Sequence, residues 1–395
     1  SSVFARVNVD ANVVNTLVTT LRKAVDPGDV NIATALPAVD LDAAHRLYEL
    51  LLKPLSSSWS GVDSLLVVTN GALGHLPLGM LSTAKMVSPK EAGSRYSSNL
   101  QVPWLIRDFA ITQLPSVNAL VTLRHLPAGS ADRRAFIGFG DPDFSDSTVA
   151  ANAPVTALRN VALPKFSSVR SGTSAEKQAT SGTSSWVPYS VLPPLPDTRD
   201  EILALANLLK ADPQHDVFLG NQASRDVVKK TTLNKSKVLA FATHGLLPGE
   251  FPGVDQPSLA LANPRNGQNG LLTLDDILEL KLDADWVILS ACNTASGDGL
   301  GSEAVSGLGR AFFYAGTRAL LATHWPVESA SARLLVTGTI ANQMDNPNLT
   351  RAQALRLSML ALMQKKSEEG FSYAHPLFWA PYALIGDGGR GTHLD

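Results

Sequence analysis

Two side chains of this 395-residue chain have the types and the positions that nucleophilic chemistry needs. Cys292, the only cysteine, ends the apolar run 286–292, and His244 directly follows a second apolar run, 238–243. A thiol and an imidazole that each finish a buried strand can meet at one edge of a sheet. A thiolate is a nucleophile, and an imidazole can take its proton or protonate a leaving amine. The pattern is that of a Cys-His dyad that cleaves peptide bonds, and the alternative at this point is an inert core cysteine with a structural histidine.

Backbone groups beside these residues complete the predicted chemistry. Gly245 has no side chain, so its N–H can approach a substrate carbonyl closely. Together with the N–H of Cys292 it would form an oxyanion hole, in which each donor typically contributes about 3–4 kcal/mol to transition-state stabilisation. His324 is a rival base, because it follows an Ala-Thr pair just as His244 does. We favour His244, since a glycine follows it.

The composition describes a globular chain and excludes several classes of partner. Apolar residues make up 45% and charged residues 17% of the chain, which provides material for a large core. The net charge of −2 gives no electrostatic reason to expect binding to nucleic acid or to an anionic membrane. The sequence also lacks an apolar run of about 18 residues that would cross a membrane. A single cysteine excludes an intrachain disulfide and suits a reducing compartment, so we expect a cytoplasmic protein.

The lack of other motifs argues against further enzyme classes. No HExxH motif, cysteine pair or other metal-ligand spacing occurs in the sequence, so we expect neither a metal nor a cofactor. The GxSxG motif of serine hydrolases is absent as well. The chain begins at Ser1 without an initiator methionine, which predicts that it is part of a longer protein.

Strands and helices alternate along the chain, which predicts a parallel sheet with helices on both faces. The predicted helices lie at 11–25, 41–55, 198–210, from Ser224, from Thr273, and at 302–314, 329–343 and 350–365, and the predicted strands at 62–69, 135–140, 217–219, 238–243, 258–262, 286–292, 319–323 and 379–385. Ser, Thr, Ala and Gly dominate the stretch 145–190, which indicates a solvated linker. Its basic residues Lys165, Arg170 and Lys177 are candidate sites of self-cleavage.

An ordered set of motifs is more specific than one cysteine or histidine. The motifs are LGHLPL at 73–78, LPS at 114–116, PDTRDE at 196–201, ATHG at 242–245, LSACNT at 289–294, GLGRAFFYAG at 307–316, HWPVE at 324–328 and HPLFWAPY at 375–382. With these motifs the chain, from about 40 to 388, resembles the CHAT family of caspase- and separase-related cysteine proteases. Members of that family commonly lie behind tetratricopeptide repeats.

The resemblance implies a fold, a dyad and a division of the chain. The fold would be α/β, a caspase-like three-layer α/β/α sandwich, with His244 and Cys292 as its dyad. Their separation of 48 residues is close to the roughly 50 expected for caspase-type enzymes. The division would be an N-terminal helical segment at 1–60, a pseudo-protease half at 61–190 that ends in the Ser/Thr-rich linker, and an active protease half at 191–395. The substrate would be a protein or peptide, and a repeat domain or an activating protein would control the activity.

Acidic side chains near the predicted dyad are candidates for selecting the residue before the cut. The cysteine motif shares only Ala-Cys with the caspase pentapeptide, so the caspase preference for aspartate does not transfer. Related enzymes that cleave after Arg or Lys often place an acid in the loop where this chain has Glu328, and Asp298 and Glu303 are other candidates. A buried carboxylate would bind a guanidinium by paired, charged hydrogen bonds, so we hypothesise a basic residue before the cut. Each acid could instead be a solvated loop charge or a helix cap.

Two other functions stay open at this point. The first is a non-catalytic CHAT-like adaptor that only binds partners, although a copy without catalytic function would be free to lose its cysteine or histidine. The second is a nucleotide-binding domain that uses the glycine-rich stretch 297–302 before a helix. That domain is the weaker alternative, because the GxxxxGK[ST] motif is absent and a lone glycine-rich loop is weak evidence.

Overall fold

The central feature of the molecule is one eight-stranded sheet. The computed structural model describes residues 2–28, 30–87, 93–145, 192–249, 254–265, 268–291, 294 and 306–389. The strands in chain order are β1 (Ser64–Val67), β2 (Ala110–Gln113), β3 (Arg134–Pro142), β4 (Val217–Gly220), β5 (Ser236–Ala242), β6 (His244–Leu246), β7 (Ser258–Ala260), β8 (Leu271–Thr273), β9 (Trp286–Ser290), β10 (Ala319–Thr323) and β11 (Tyr382–Gly386). The central sheet has the order β1-β2-β11-β10-β9-β5-β3-β4, and β6, β7 and β8 form a small second sheet.

Strand direction in the central sheet changes at a single boundary. Neighbouring strands pair parallel, apart from β10 and β11, which pair antiparallel. The strands β3, β4, β5, β9 and β10 therefore point one way, and β1, β2 and β11 point the other way. Because β5, β9 and β10 are adjacent and parallel, the segments that follow them leave the sheet at the same edge.

Helices cover both faces of this sheet. They are α1 (Ala11–Val25), α2 (Leu41–Leu51), α3 (Val117–Arg124), α4 (Asp197–Leu208), α5 (Arg225–Lys230), α6 (Leu274–Glu279), α7 (Gly307–Ala315), α8 (Ser329–Asp345), α9 (Arg351–Met363) and α10 (Pro376–Trp379). Ala240 and Ile288 belong to a core that includes buried side chains of α4, α8 and α9, whereas Phe241 and Leu289 belong to a second core with α5, α6 and α7. Successive strand residues point to opposite faces, so the predicted three-layer α/β/α fold is confirmed.

Most predicted elements are present, and the differences have local causes. The helix predicted at 11–25 is α1, and the strand predicted at 319–323 is β10. The strand predicted from Trp379 is wrong at its start, because Pro376 begins the short helix α10 and His375 caps it by accepting a hydrogen bond from the Leu377 amide. Sequence reasoning missed β2 and α3, which are four and eight residues long.

The central sheet contains strands from both of the predicted halves of the chain. β3, from before residue 190, pairs with β4 and β5, from after it. Strands from both sides of the predicted boundary therefore share one hydrogen-bonded sheet. The linker residues 146–190, with Lys165, Arg170 and Lys177, lie outside the described residues. The division and the self-cleavage sites stay predictions.

Gly316, which ends α7, is expected to be a sensitive position for stability. It has a φ of +114°, and a Cβ at this position would lie 2.3 Å from the carbonyl oxygen of Leu282. Left-handed backbone costs about 1–2 kcal/mol in residues other than glycine, and the clash adds to this. Gly316→Ala should therefore lower the free energy of unfolding in urea more than Gly370→Ala, because Gly370 has a φ of +84° but nothing within 4 Å. Equal losses in the two variants would contradict the predicted clash.

Candidate active site

Parallel pairing of β5 with β9 determines the position of the candidate site. Ala242, the last residue of β5, pairs with Ser290, the last residue of β9. His244 follows Ala242 by two residues, so the structure brings the imidazole to the edge of the sheet at which β9 ends. Cys292 follows Ser290 by two residues in the sequence, but it lies outside the described residues.

The His244 ring is held on several sides. It is 2% exposed and begins β6, which pairs antiparallel with β7. Nε2 lies 2.8 Å from the carbonyl oxygen of Pro193, and the ring of Phe144 packs against the imidazole with its centroid 5.4 Å away. A carbonyl oxygen can only accept a hydrogen bond, so Nε2 must carry a proton. In the neutral ring Nδ1 is then the nitrogen with the basic lone pair.

Sequence reasoning missed Pro193 and Phe144. Leu192 and Leu195 are buried in a small apolar cluster with Phe144 and Leu246, and this packing fixes the segment that presents the Pro193 carbonyl. Every residue has a carbonyl group, so no residue type marks one that binds a side chain. The proline-rich stretch 193–196 was the available signal, because prolines restrict the backbone conformation before a helix.

The residues on either side of Cys292 and Asn293 are tied to neighbouring elements. The Ala291 carbonyl accepts hydrogen bonds from the hydroxyls of Thr294, at 2.9 Å, and Thr323, at 2.5 Å. The Thr294 hydroxyl also accepts from the Thr323 amide at 3.2 Å. Ser306, the N-cap of α7, donates to the Thr294 carbonyl at 2.5 Å. Contacts with β10 and α7 thus hold the chain directly before and after the predicted nucleophile.

Of the three predicted substrate-binding acids, the structure describes Glu328. Glu328 is half-buried, and its two carboxylate oxygens accept hydrogen bonds from the amides of Ala330 (3.0 Å) and Ser331 (2.7 Å) at the start of α8. These are the contacts of a helix N-cap, the alternative that the sequence left open. Asp298 and Glu303 lie outside the described residues. Gly245 is half-buried in the middle of β6, opposite Leu259 of β7.

The rival base, His324, occupies a very different environment. It is fully buried at the end of β10, and Arg22 of α1 donates hydrogen bonds to its carbonyl oxygen at 3.3 Å. Burial, aided by the charges of Arg22 and His75, lowers the pKa of the His324 ring to about 3. A ring with so low a pKa is a weak acceptor for a thiol proton, whose pKa is ordinarily about 8.5. The low pKa of the His324 ring therefore argues against His324 as the base.

The described residues include neither a metal-binding cluster nor a membrane-spanning helix. Within the described ranges, no group of three or more His, Cys, Asp or Glu side chains is arranged to hold a metal ion. None of the helices in that part of the chain is both long and apolar enough to cross a bilayer.

Comparison with known families identifies the chain. The family model described as "CHAT domain" matches residues 41–387. The chain belongs to the CHAT domain family. This CHAT chain is 23% identical over 379 residues to human (Homo sapiens) Tetratricopeptide repeat protein 28, and 24% identical over 223 residues to the mouse (Mus musculus) protein of that name. These alignments cover 87% and 49% of the CHAT chain but only 13% and 9% of the two relatives, so the chain spans a small part of their length.

Several solved structures are similar to the CHAT chain at low sequence identity. The first is the Saccharomyces cerevisiae separase-securin complex, with a TM-score of 0.44 and 14% identity over 88% of the CHAT chain and 17% of the other chain. The second is the Arg specific cysteine proteinase gingipain R, with a TM-score of 0.42 and 11% identity over 95% of the CHAT chain and 74% of the other. A structure of the Porphyromonas gingivalis protein with its pro-domain has a TM-score of 0.43, with 10% identity over 96% of the CHAT chain and 77% of the other.

The low pKa of the His324 ring predicts that the stability of the fold depends on pH. The unfolded ring takes up its proton near pH 6.5 and the folded ring only near 3, so the unfolded state binds more protons between these values. Stability should therefore fall as the pH is lowered below 6.5. Between pH 7.5 and 5.5 the wild type should lose on the order of 1 kcal/mol more unfolding free energy than His324→Gln.

Urea unfolding at the two pH values measures this difference. His125→Gln is the matched control because His125 is exposed, and it should keep the full acid-induced loss. The same loss in wild type and His324→Gln would contradict the low pKa.

Proposed function

We propose that this CHAT domain is a cysteine endopeptidase in which Cys292 attacks the peptide carbonyl and His244 transfers the proton. The observation that carries the proposal is the pairing of Ala242 with Ser290, which ends β5 and β9 at the same level of one sheet edge. Each predicted catalytic residue follows its paired strand residue by two positions. The hydrogen bond from His244 Nε2 to the Pro193 carbonyl supports it further, because it orients the imidazole for proton transfer at Nδ1.

The proposed reaction follows from these groups. His244 Nδ1 takes the thiol proton, and the Cys292 thiolate forms a bond with the substrate carbonyl carbon. The backbone amides of Gly245 and Cys292 hold the resulting oxyanion. The imidazolium returns its proton to the leaving amine, and an acyl-enzyme forms. His244 then takes a proton from water, which hydrolyses the thioester and frees the thiol.

Pro193 has a specific part in this scheme. When His244 becomes doubly protonated, its Nε2–H still donates to the Pro193 carbonyl, and the bond becomes stronger because the donor is charged. The ring therefore does not need to turn between its two proton transfers. The carbonyl acts through the histidine and does not contact the substrate, so Pro193 is a positioning residue.

The substrate in this proposal is a protein or peptide with a basic residue before the cut. Glu328 is the described candidate for binding that residue, and Asp298 and Glu303 are the other two. The N-cap contacts of Glu328 leave its carboxylate able to accept further hydrogen bonds, because each oxygen can accept more than one. We propose further that a repeat domain or an activating protein controls the activity, since both curated relatives are named for tetratricopeptide repeats. A cytoplasmic location is part of the same proposal and depends on the single cysteine.

A non-catalytic, protein-binding adaptor is the second candidate function. The observation in its favour is that His244 is only 2% exposed, so a substrate must displace neighbouring groups to reach the ring. The presence of both dyad residues favours the peptidase, because an adaptor has no need of either.

Separate replacement of the two dyad residues tests the peptidase. Cys292→Ala should reduce hydrolysis of a fluorogenic peptide library to background, because no other thiol exists in the chain. His244→Ala should lower kcat/KM by about 100-fold or more, the usual contribution of a general acid-base group. His125→Ala, which changes an exposed histidine, is the matched control and should keep wild-type activity.

Two results would contradict the assignment. Unchanged hydrolysis in Cys292→Ala would exclude the proposed nucleophile. If His244→Ala kept full activity and a folded His324→Gln variant lost it, His324 and not His244 would be the base.

Specificity is tested at Glu328. Glu328→Gln keeps a side-chain oxygen for capping α8 but removes the charge, so kcat/KM should fall by about tenfold for peptides with Arg or Lys before the cut. Peptides with Leu at that position should be unaffected. The exposed Glu368→Gln variant is the control for loss of a carboxylate, and it should behave as wild type. A strong preference of the wild type for Asp or Leu would contradict the proposed specificity.

A further inference from the structure

A buried carboxylate that the proposed mechanism does not use lies under the end of β9. Glu201, on α4, is 0% exposed, and its Oε1 accepts a hydrogen bond of 2.5 Å from the hydroxyl of Ser290. Taking a carboxylate out of water costs on the order of several kcal/mol. An apolar side chain at this point of the core would avoid that cost, so the carboxylate needs an explanation other than packing.

Glu201 belongs to a hydrogen-bonded relay that includes Ser290 and Tyr382. The Ser290 hydroxyl, also 0% exposed, lies 2.7 Å from the hydroxyl of Tyr382, the first residue of β11. Ser290 has one proton, which it donates to Glu201, so Tyr382 must donate to Ser290. In the sheet β10 separates β11 from β9, and the relay therefore connects α4 with two strands that do not pair with each other. Hydrogen bonds of this kind fix a side chain in direction as well as in distance.

The position of the relay connects it with both members of the proposed dyad. Ser290 is the last residue of β9 and precedes Cys292 by two residues. The segment leading into α4 carries Pro193, whose carbonyl binds His244. One continuous segment, residues 192–208, thus contacts the imidazole through Pro193 and contacts β9 through Glu201.

We propose that Glu201 is a positioning residue, which holds the end of β9 through Ser290 so that the Cys292 thiol meets His244. This inference rests on the proposed function, because it assumes the dyad. The relay acts through its hydrogen bonds and not through the charge of the carboxylate. A buried negative charge alone would disfavour the thiolate, so its removal would make the thiol more reactive, whereas loss of positioning would make the thiol less reactive.

The reactivity of Cys292 toward iodoacetamide separates these effects. Cys292 is the only cysteine, so mass spectrometry reports its alkylation without interference. Glu201→Ala and Ser290→Ala both break the relay, and each should slow alkylation at pH 7 by about tenfold, because a misplaced thiol loses its proton acceptor. Glu201→Gln keeps an acceptor oxygen without the charge and should stay within about threefold of wild type. The double variant should be no slower than either single one, since both changes break the same contact.

A matched control and a kinetic measurement complete the design. Asp200→Asn changes an exposed acid on the same helix and should alkylate at the wild-type rate. For a peptide substrate that the wild type cleaves, kcat should be lower in Ser290→Ala and Glu201→Ala than in the wild type. KM should stay within about twofold of the wild-type value, because the relay does not contact the substrate. If Glu201→Ala does not fold, the smaller changes Ser290→Ala and Glu201→Gln decide the question.

The outcomes distinguish this inference from the proposed function. The role of Glu201 would be overturned if Ser290→Ala and Glu201→Ala were alkylated at the wild-type rate while His244→Ala was alkylated slowly. The dyad would remain in place. Faster alkylation in Glu201→Gln would also overturn it, because the charge and not the hydrogen bond would then control the thiol. Wild-type alkylation at the rate of an ordinary thiol, unchanged in His244→Ala, would contradict the dyad, and the positioning role would fall with it.

Discussion

The hydrogen-bonded register between two parallel strands is the constraint on which the candidate site depends. Because Ala242 pairs with Ser290, the chain leaves β5 and β9 at the same level of the sheet. A shift of one residue in this register would point one strand's side chains to the opposite face. Both strands are buried on both faces, and the two cores therefore oppose such a shift. The precision of the site comes from the core rather than from the loops that carry it.

The groups around this edge restrain the chain by backbone contacts as much as by side chains. The Pro193 carbonyl holds His244, and the Ala291 carbonyl receives two threonine hydroxyls beside the predicted nucleophile. Backbone groups change little with residue type, so they provide fixed dipoles around the side chains to which we assign proton transfer. The segment 192–208 has a double role in this arrangement, because it carries both the carbonyl at His244 and the carboxylate under Ser290.

Much of the fold could be predicted from local patterns, whereas the environment of the site could not. Apolar runs and capping residues located β10 and α1, since strand and helix periodicity depend on nearby residues. The motif at 196–201 includes Glu201, but no local pattern could show its contact with Ser290, which lies 89 positions away in the sequence. His244 and His324 have similar sequence contexts, and the burial that lowers the pKa of the His324 ring depends on tertiary packing that no local pattern shows.

The most direct test of the dyad is a crystal structure of the protein with a peptidyl aldehyde bound. The proposed dyad predicts a covalent bond from Cys292 Sγ to the aldehyde carbon, with His244 Nδ1 within about 3.5 Å of the sulfur or of the new oxygen. Nε2 should stay on the Pro193 carbonyl. An aldehyde bound elsewhere, or a His244 ring more than about 6 Å from Cys292 Sγ with another base in its place, would contradict the central claim.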